Sequence, residues 1–191
     1  MKLIVGLGNP GNQYKSTRHN IWATMLEKFL EWEQLGQLKY DAKFASEILI
    51  APLQKGGRTL NEVKGTGGSE QTIFATPQTF MNLSGNAVES IARYYQIKPE
   101  NILVLHDEIE LPLGKIALKN WWGAAGHNGL RSITTKLGTP DFMRLRIGVG
   151  KSEKIGVAEY VLQKIKPNEQ EILQNEEEEI FEKIRTFLQN E

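Results

Sequence analysis

The fold begins with the stretch KLIVGLGNPG at residues 2–11. Its first six residues form a continuous apolar run that ends in glycines, which is typical of a short, fully buried strand. The stretch also matches G-x-G-x-x-G, the fingerprint of dinucleotide-binding folds. In those folds the third glycine lies within the first turn of a helix, but helical spacing here begins only near Thr17. The sequence therefore favours a glycine turn after a strand, with a dinucleotide site as the weaker alternative.

Strand and helix patterns alternate along the rest of the chain. Apolar residues recur at helical spacing from about Thr17 to Gln34, and Gly36 follows where a helix C-cap would lie. Ser84 is predicted to cap a helix that ends before Pro99. Further elements are predicted as strands at 43–51, 71–76, 101–107, 115–118 and 144–149, a glycine-rich surface loop at 54–71, a helix at 130–137 closed by Gly138, and a terminal helix after Pro167 with an Asn168/Glu171 capping box and an apolar stripe at Leu173, Ile180, Ile184 and Phe187.

The composition indicates one globular domain that covers residues 1–191. Of its 191 residues 40% are hydrophobic, which suits a single core. The absence of cysteine excludes disulfides, thiolate nucleophiles and Cys-ligated zinc. No window approaches the roughly 20 apolar residues of a membrane span, and the N-terminus lacks a signal-peptide core, so we expect a cytoplasmic protein. Strand–helix alternation predicts an α/β fold with a twisted mixed, largely parallel sheet flanked by helices on both faces.

The formal net charge of zero conceals two segments of opposite sign. Residues 111–151 carry seven Lys and Arg against the single acid Asp141, whereas residues 168–191 carry eight Glu against two basic residues. Clustered basic residues are what binding to phosphates requires. The same pattern is also compatible with two solvated surfaces, so charge alone does not decide the function.

The chain offers three histidines, at positions 19, 106 and 127, as candidate general bases. Neighbouring residues on a strand point to opposite faces, so His106 cannot be oriented by Asp107. His19 follows the first strand and Asp107 ends a later one, so both should reach the same rim of a parallel sheet. A carboxylate that fixes the ring tautomer makes a general base of the imidazole. The alternatives are a structural His19 near a helix cap and a metal site at 106–108, which diverging strand side chains disfavour.

Three asparagines lie in glycine-punctuated turns, at Asn9, Asn82 and Asn128. Uncharged amides can hold a water or an ester carbonyl by hydrogen bonds without changing the local charge. Each of them could equally be a cap or turn residue. Together with a histidine base they favour hydrolysis by a directly activated water.

Six motifs resemble, in order and spacing, the signatures of bacterial peptidyl-tRNA hydrolases. They are GLGNPG at 6–11, TRHN at 17–20, PQTFMNLSG at 77–85, HDE at 106–108, GHNGL at 126–130 and RLRIG at 144–148. The resemblance implies a cytoplasmic, metal-free and cofactor-free monomer whose partner is the acceptor stem and 3′ end of peptidyl-tRNA. It also implies the reaction, hydrolysis of the ester between an N-blocked peptide and the tRNA 3′ end, which recycles tRNA released by stalled ribosomes.

The resemblance also implies a role for each site residue. His19 would be the catalytic base, Asp107 its orienting acid, and Asn82 the residue that places water or substrate. The remaining roles are substrate binding by Asn9, Tyr14, Phe80 and Asn128, and a grip on the tRNA 5′-phosphate by Lys119 and Arg146.

The chain departs from the family pattern in three places. Trp121 and Trp122 replace small residues before Gly126, Ala117 occupies a position that is often basic, and the 54–71 loop is long. The tryptophans would either cover apolar surface or stack on the acceptor stem. A protein similar to this family serves in plant chloroplasts as an RNA-splicing partner, so a non-catalytic RNA-binding role is the alternative function. The intact His19, Asp107 and Asn82 favour the enzyme.

Overall fold

The computed structural model of the chain describes residues 1–53, 70–120, 123 and 126–189. Within these ranges, seven strands form one sheet and six α-helices surround it. The strands are β1 (Lys2–Gly6), β2 (Lys39–Asp41), β3 (Ser46–Leu53), β4 (Glu70–Pro77), β5 (Ile102–Glu108), β6 (Ile116–Asn120) and β7 (Met143–Gly148). The helices are α1 (Ile21–Trp32), α2 (Ser84–Tyr94), α3 (Asn128–Leu137), α4 (Val157–Val161), α5 (Pro167–Asn175) and α6 (Glu177–Gln189).

The sheet is mixed, with strand order β2-β3-β4-β1-β5-β7-β6. The four central strands β4, β1, β5 and β7 are parallel, whereas the outer strands pair antiparallel to their neighbours, β2 and β3 at one end of the sheet and β6 at the other. This arrangement confirms the predicted α/β fold with a largely parallel sheet. The carboxyl ends of the parallel strands meet at one rim, where sites gather in open α/β sheets.

Alternating strand residues supply two cores, one on each face of the sheet. Leu3, Val5 and Val104 pack on the face covered by α2 and α3. Ile4 and Leu105 pack on the opposite face, which is covered by α1, α5 and α6. Each fully buried side chain of this size stabilises the fold by about 1.5–3 kcal/mol. The apolar runs in β1 and β5 therefore fix the sheet and place both strand ends at the same rim.

Several predicted boundaries were wrong because tertiary contacts outweigh local signals. The first predicted helix divides into a 3₁₀ turn at Arg18–Asn20 and α1, which ends at Trp32 rather than at Gln34. Gln34, with a φ of 53°, is the first left-handed residue after the helix, ahead of Gly36. Ser84 is the first residue of α2 and does not cap it. Its buried hydroxyl has no hydrogen-bond partner in the described part of the chain. The short elements β2 and α4 were not predicted.

The C-terminal region contains two helices where one was predicted. The predicted Asn168/Glu171 capping box is absent from its expected place, because the N-cap of α5 is Lys166, two residues earlier, and the helix begins at Pro167. The backbone N–H of Lys166 donates to the Glu169 carboxylate at 2.8 Å and closes the first turn. The predicted apolar stripe was correct, since it is buried at Leu173, Ile180, Ile184 and Phe187.

Two features of the sequence fall outside the described residues, namely Trp121 with Trp122 and nearly all of the 54–71 loop. Gly138 closes α3 with a left-handed φ of 73°, as predicted. None of the helices in the described ranges has the length and apolar content that a membrane crossing needs.

Candidate active site

His19 and Asp107 meet at the rim of the sheet, where the strand argument placed them. His19 lies in the 3₁₀ turn that precedes α1, and Asp107 is the penultimate residue of β5. The ring Nδ1 is 2.8 Å from Asp107 Oδ1 and 3.0 Å from Oδ2. The two side chains are 11% and 2% exposed. A buried carboxylate thus holds one edge of a ring whose other edge is open to the solvent side.

A second histidine, His127, also binds Asp107, and the sequence reasoning had given it no role. Its Nε2 is 3.1 Å from Asp107 Oδ1. Its Nδ1 accepts hydrogen bonds from the backbone N–H groups of Gly129 at 3.2 Å and Leu130 at 3.4 Å, so the ring caps α3. The signal in the sequence was its place in a GHNG turn directly before a helix. In an α/β fold the start of such a helix lies near the carboxyl ends of the parallel strands, where Asp107 also lies.

These contacts fix the tautomers of both rings. Because His127 Nδ1 accepts from two amides, its proton is on Nε2 and is donated to Asp107. His19 donates its Nδ1 proton to the same carboxylate, so Nε2 is the ring nitrogen that Asp107 does not bind. Burial raises the pKa of Asp107, but the charges and hydrogen bonds of His19 and His127 outweigh it and hold this pKa well below its ordinary value. The carboxylate therefore stays ionised.

His106 is excluded as the base, as predicted, because it points to the other face of the sheet. Its side chain is buried, and its Nδ1 bonds the backbone carbonyl of Asp107 at 2.9 Å. Its Nε2 has no partner among the described residues. Burial, with a smaller contribution from the charge of His127, lowers the pKa of His106 to about 3. The ring is therefore neutral near pH 7, and its centroid lies 5.1 Å from that of His127.

A cleft of about 720 Å³ opens above His19. Its apolar lining comes from Phe80 and Met81 and from residues of α4. The remaining lining includes polar side chains. Seven of the nine site residues predicted from the sequence line this cleft, namely Asn9, Tyr14, His19, Phe80, Asn82, Asp107 and Asn128. The other two are Lys119 and Arg146.

Asn9 joins two loops of the cleft through its side chain. Its Oδ1 accepts the N–H of Met81 at 2.8 Å. Asn20 bonds both backbone groups of Asn9, at 2.9 Å and 2.8 Å. These bonds leave Asn9 Nδ2 as a donor without a protein partner among the described residues. Asn82 and Asn128 are exposed at the same cleft, so three amides can reach one ligand.

The cluster of His19, Asp107 and His127 has the residue types of a metal site. Their ligand atoms lie within 4.8 Å of one another. Both ring nitrogens, however, are directed at the carboxylate oxygens at hydrogen-bond distances, and His127 Nδ1 is already used by α3. A zinc ion needs ligands that converge at about 2.0–2.2 Å. The arrangement fits a hydrogen-bonded triad, and the expected absence of a metal stays a prediction.

Lys119, Arg144 and Arg146 form a basic edge on β6 and β7, and none of the three lines the cleft. Register pairs Lys119 with Arg144 and Ala117 with Arg146, so the three charged residues share one face of the sheet. Arg146 is only 12% exposed and donates to Glu108 Oε2 at 3.3 Å. Arg144 is buried and donates to the carbonyls of Gly123 at 3.2 Å and Pro140 at 3.3 Å. Lys119 is exposed. The predicted phosphate pair thus combines one exposed lysine with one arginine already bound by an acid.

Comparison with known proteins places these features in a family. The model of the peptidyl-tRNA hydrolase family matches residues 3–191. The chain belongs to the peptidyl-tRNA hydrolase family. A peptidyl-tRNA hydrolase of Nitratidesulfovibrio vulgaris is 44% identical over 183 residues, which cover 90% of this chain and 82% of the relative. That of Lawsonia intracellularis is 39% identical over 191 residues, covering 99% and 88%.

Solved structures agree with this placement. The crystal structure of peptidyl-tRNA hydrolase from Acinetobacter baumannii has a TM-score of 0.83 and 36% sequence identity, and it covers 99% of this chain and 89% of that one. Membership in the peptidyl-tRNA hydrolase family confirms the resemblance read from the six sequence motifs. It also confirms the predicted α/β architecture.

Proposed function

We propose that this protein hydrolyses the ester bond between an N-blocked peptide and the 3′ end of tRNA. Its relatives carry the name of that activity, and the chain keeps every cleft residue that the resemblance implies. The single observation that carries the proposal is the contact of His19 Nδ1 with the buried Asp107 carboxylate at 2.8 Å. It leaves an unprotonated nitrogen in a cleft large enough for a peptide and a ribose.

The first step is proton transfer to His19. A water bound at Nε2 gives up a proton as its oxygen attacks the ester carbonyl, and Asp107 stabilises the imidazolium that forms. His127 donates a second hydrogen bond to Asp107 and so keeps the carboxylate in place. When the tetrahedral intermediate collapses, the imidazolium returns its proton to the departing ribose oxygen. Water is consumed, and a free peptide acid and a tRNA with a 3′-terminal hydroxyl are released.

Amide donors stabilise the charge that develops on the carbonyl oxygen. Asn9 Nδ2 and the side chains of Asn82 and Asn128 lie at the same cleft, and a fixed donor in a water-poor site is worth about 2.7–4 kcal/mol to a transition state. We assign Asn82 to the water or the carbonyl, and Asn9, Tyr14, Phe80 and Asn128 to the peptide and terminal adenosine. An ester has a better leaving group than an amide, so this set needs no covalent nucleophile.

The tRNA body is proposed to lie along the basic edge and α3. Lys119, Arg144 and Arg146 share the sheet face on which α3 packs, and Arg131 and Lys136 of α3 are exposed. The acidic α5 and α6 cover the opposite face. A duplex would therefore meet positive charge on one face of the sheet and negative charge on the other. Lys119 and Arg146 remain the proposed contacts to the 5′-phosphate.

The deciding experiment is single-turnover cleavage of N-acetyl-aminoacyl-tRNA against free aminoacyl-tRNA. The proposal expects rapid release of the N-acetylated amino acid, slow or absent cleavage of the free form, and no cleavage of either by His19→Ala. Filter binding of the same tRNAs runs in parallel. Tight tRNA binding by the wild-type protein without turnover would overturn the hydrolase and support the non-catalytic RNA-binding alternative.

A further inference from the structure

Arg18 directly precedes His19, yet the proposed mechanism does not use it. Its guanidinium is buried and contacts both oxygens of Glu169 at 2.7 Å through Nη2. Its Nη1 donates to the carbonyls of Gln163 at 3.4 Å and Lys164 at 3.3 Å. The group also lies 4.4 Å from the centre of the Tyr160 ring. Both terminal nitrogens of this arginine are therefore bound inside the protein, while its buried Nε has no hydrogen-bond partner among the described residues.

Backbone contacts reinforce this junction. The N–H of Arg18 donates to Gln163 O at 3.2 Å, and the N–H of Ile165 donates to Ser16 O at 2.9 Å. The segment before His19 and the segment after α4 thus form a short antiparallel bridge. The hydroxyl of Tyr160, within α4, donates to Val149 O at 2.7 Å. The segment directly before His19 is thus tied to the residues that follow α4, and α4 itself is tied to Val149.

The α4 helix is one wall of the catalytic cleft. Val157, Ala158, Val161 and Leu162 line the cleft, and of these Val161 is buried. A helix of five residues is far too short to be stable by itself, so its position depends on tertiary contacts. The contacts just described come from Arg18 and from the Tyr160 hydroxyl. The position of α4, and with it this wall of the cleft, therefore depends on the contacts that Arg18 and Tyr160 make.

Glu169 is fixed in its turn by the start of α5. Its Oε2 accepts the N–H of Lys166 at 2.8 Å in addition to the arginine. Burial raises the pKa of Glu169, but the Lys166 N–H and Arg18 outweigh it and keep this pKa below its ordinary value. The carboxylate stays charged at neutral pH, and hydrogen bonds between two ionised groups are stronger than those between neutral groups.

We propose that Arg18 is a positioning residue that is itself bound by Glu169. It holds α4 at a fixed place relative to His19 and so sets the width of the cleft on the side that α4 forms. Its kinetic consequence rests on the proposed ester hydrolysis. Its structural consequence, the ordering of residues 157–162, does not.

The test compares Glu169→Gln with Glu33→Gln as a matched control. The two glutamates are similarly buried, since the side chain of Glu33 is 11% exposed and that of Glu169 is 15% exposed. Glu33 also binds an arginine, because it accepts a hydrogen bond from Arg185 Nε at 2.6 Å that joins α1 to α6. Loss of a charge-assisted contact should make amide hydrogen exchange in 157–162 about tenfold faster in Glu169→Gln only. The KM for N-acetyl-aminoacyl-tRNA should rise about fivefold with kcat within about twofold, because the His19 pair is untouched.

Arg18→Met supplies an independent variant, since it removes the charge but keeps an unbranched side chain against Tyr160. It should reproduce the Glu169→Gln pattern. Equal exchange in 157–162 for Glu169→Gln and Glu33→Gln would overturn the proposal, as would a fall in kcat at constant KM. If the wild-type protein cleaves no ester, the proposed hydrolysis fails, and the exchange experiment still decides the role of Arg18.

Discussion

The catalytic rim and the basic edge carry the two halves of the proposed function, and they are built in opposite ways. At the rim, Asp107 binds two histidines and leaves one nitrogen of His19 uncommitted in the cleft. At the basic edge, Arg144 and Arg146 are already bound by carbonyls and by Glu108. The proposed catalytic contacts are therefore assembled before substrate arrives, whereas phosphate binding by either arginine must displace an internal partner.

The largest expected effect is that of His19→Ala. Removal of the base should lower kcat by about 10²–10⁴-fold, while the Kd for tRNA stays within about twofold because the basic edge is unchanged. Single-turnover kinetics and filter binding measure the two quantities separately. A variant that loses binding but keeps its turnover would remove the distinction between the two regions.

Asp107→Asn should follow, with kcat reduced about a hundredfold or more. The amide of asparagine can donate to His19 Nδ1, which shifts the ring proton to Nε2. A protonated Nε2 cannot take a proton from water, so the water is not activated. Its KM should change little, since the cleft walls are the same. Full activity in this variant would show that the tautomer is not fixed by the carboxylate.

Substitutions at the basic edge should have smaller effects, and they should differ from each other. Lys119→Ala should raise KM several-fold and reduce the slope of log affinity against log salt by about 0.9, the value for one lost phosphate contact. Arg146→Ala should reduce this slope less, because Glu108 already neutralises the arginine. Titrations with 5′-phosphorylated tRNA at several salt concentrations test the ranking. Equal slopes would mean that Arg146 leaves Glu108 when RNA binds.

His106→Gln should have the smallest effect on catalysis, within about threefold in kcat/KM, since the ring lies behind the triad. Its effect should instead be on stability. The folded protein keeps His106 neutral down to about pH 3, whereas the unfolded chain takes up a proton below its ordinary value of 6.5. The wild-type protein should therefore lose stability as pH falls from 6.5 towards 3, by up to about tenfold per pH unit in the unfolding constant.

Urea unfolding between pH 7 and pH 4 provides the measurement. Asp107 does not interfere in this window, because its ordinary pKa lies at 3.8 and folding lowers it. The pH slope should be shallower in His106→Gln than in the wild-type protein. Parallel slopes would show that His106 gains its proton in the folded state and that it is not isolated from solvent.

The pattern of the sequence was sufficient for the parts of the fold that periodicity controls. Buried strands such as β1 and β5 read as apolar runs, and the alternation along β5 correctly separated His106 from Asp107. The meeting of His19 with Asp107 followed from the rule that parallel strand ends share a rim. Short elements were missed, because α4 and β2 owe their existence to tertiary contacts and carry no periodic signal of their own.

The partners of charged residues could not be predicted from the sequence. Arg18 and Glu169 are separated by 151 positions, and Arg146 and Glu108 by 38, so nothing local indicates either pair. Sequence reasoning identified no partner for Arg18 and assigned Arg146 to a phosphate, whereas in the fold each arginine is mostly buried and binds a carboxylate. His127 was within reach of sequence reasoning, because it lies in a GHNG turn just before the helix predicted at 130–137, and a side chain near a helix start can lie beside the carboxyl ends of the strands.

The side chain of Asn9 does two jobs with two atoms. Oxygen holds the turn that carries Met81, and nitrogen remains for the ligand. A swap to aspartate has almost the same shape and would preserve the first job while abolishing the second. The support of the loop and the binding of substrate can therefore be separated by one substitution at this position. Each role restricts which residues can serve the other, since an amide carries an acceptor oxygen and a donor nitrogen on the same carbon.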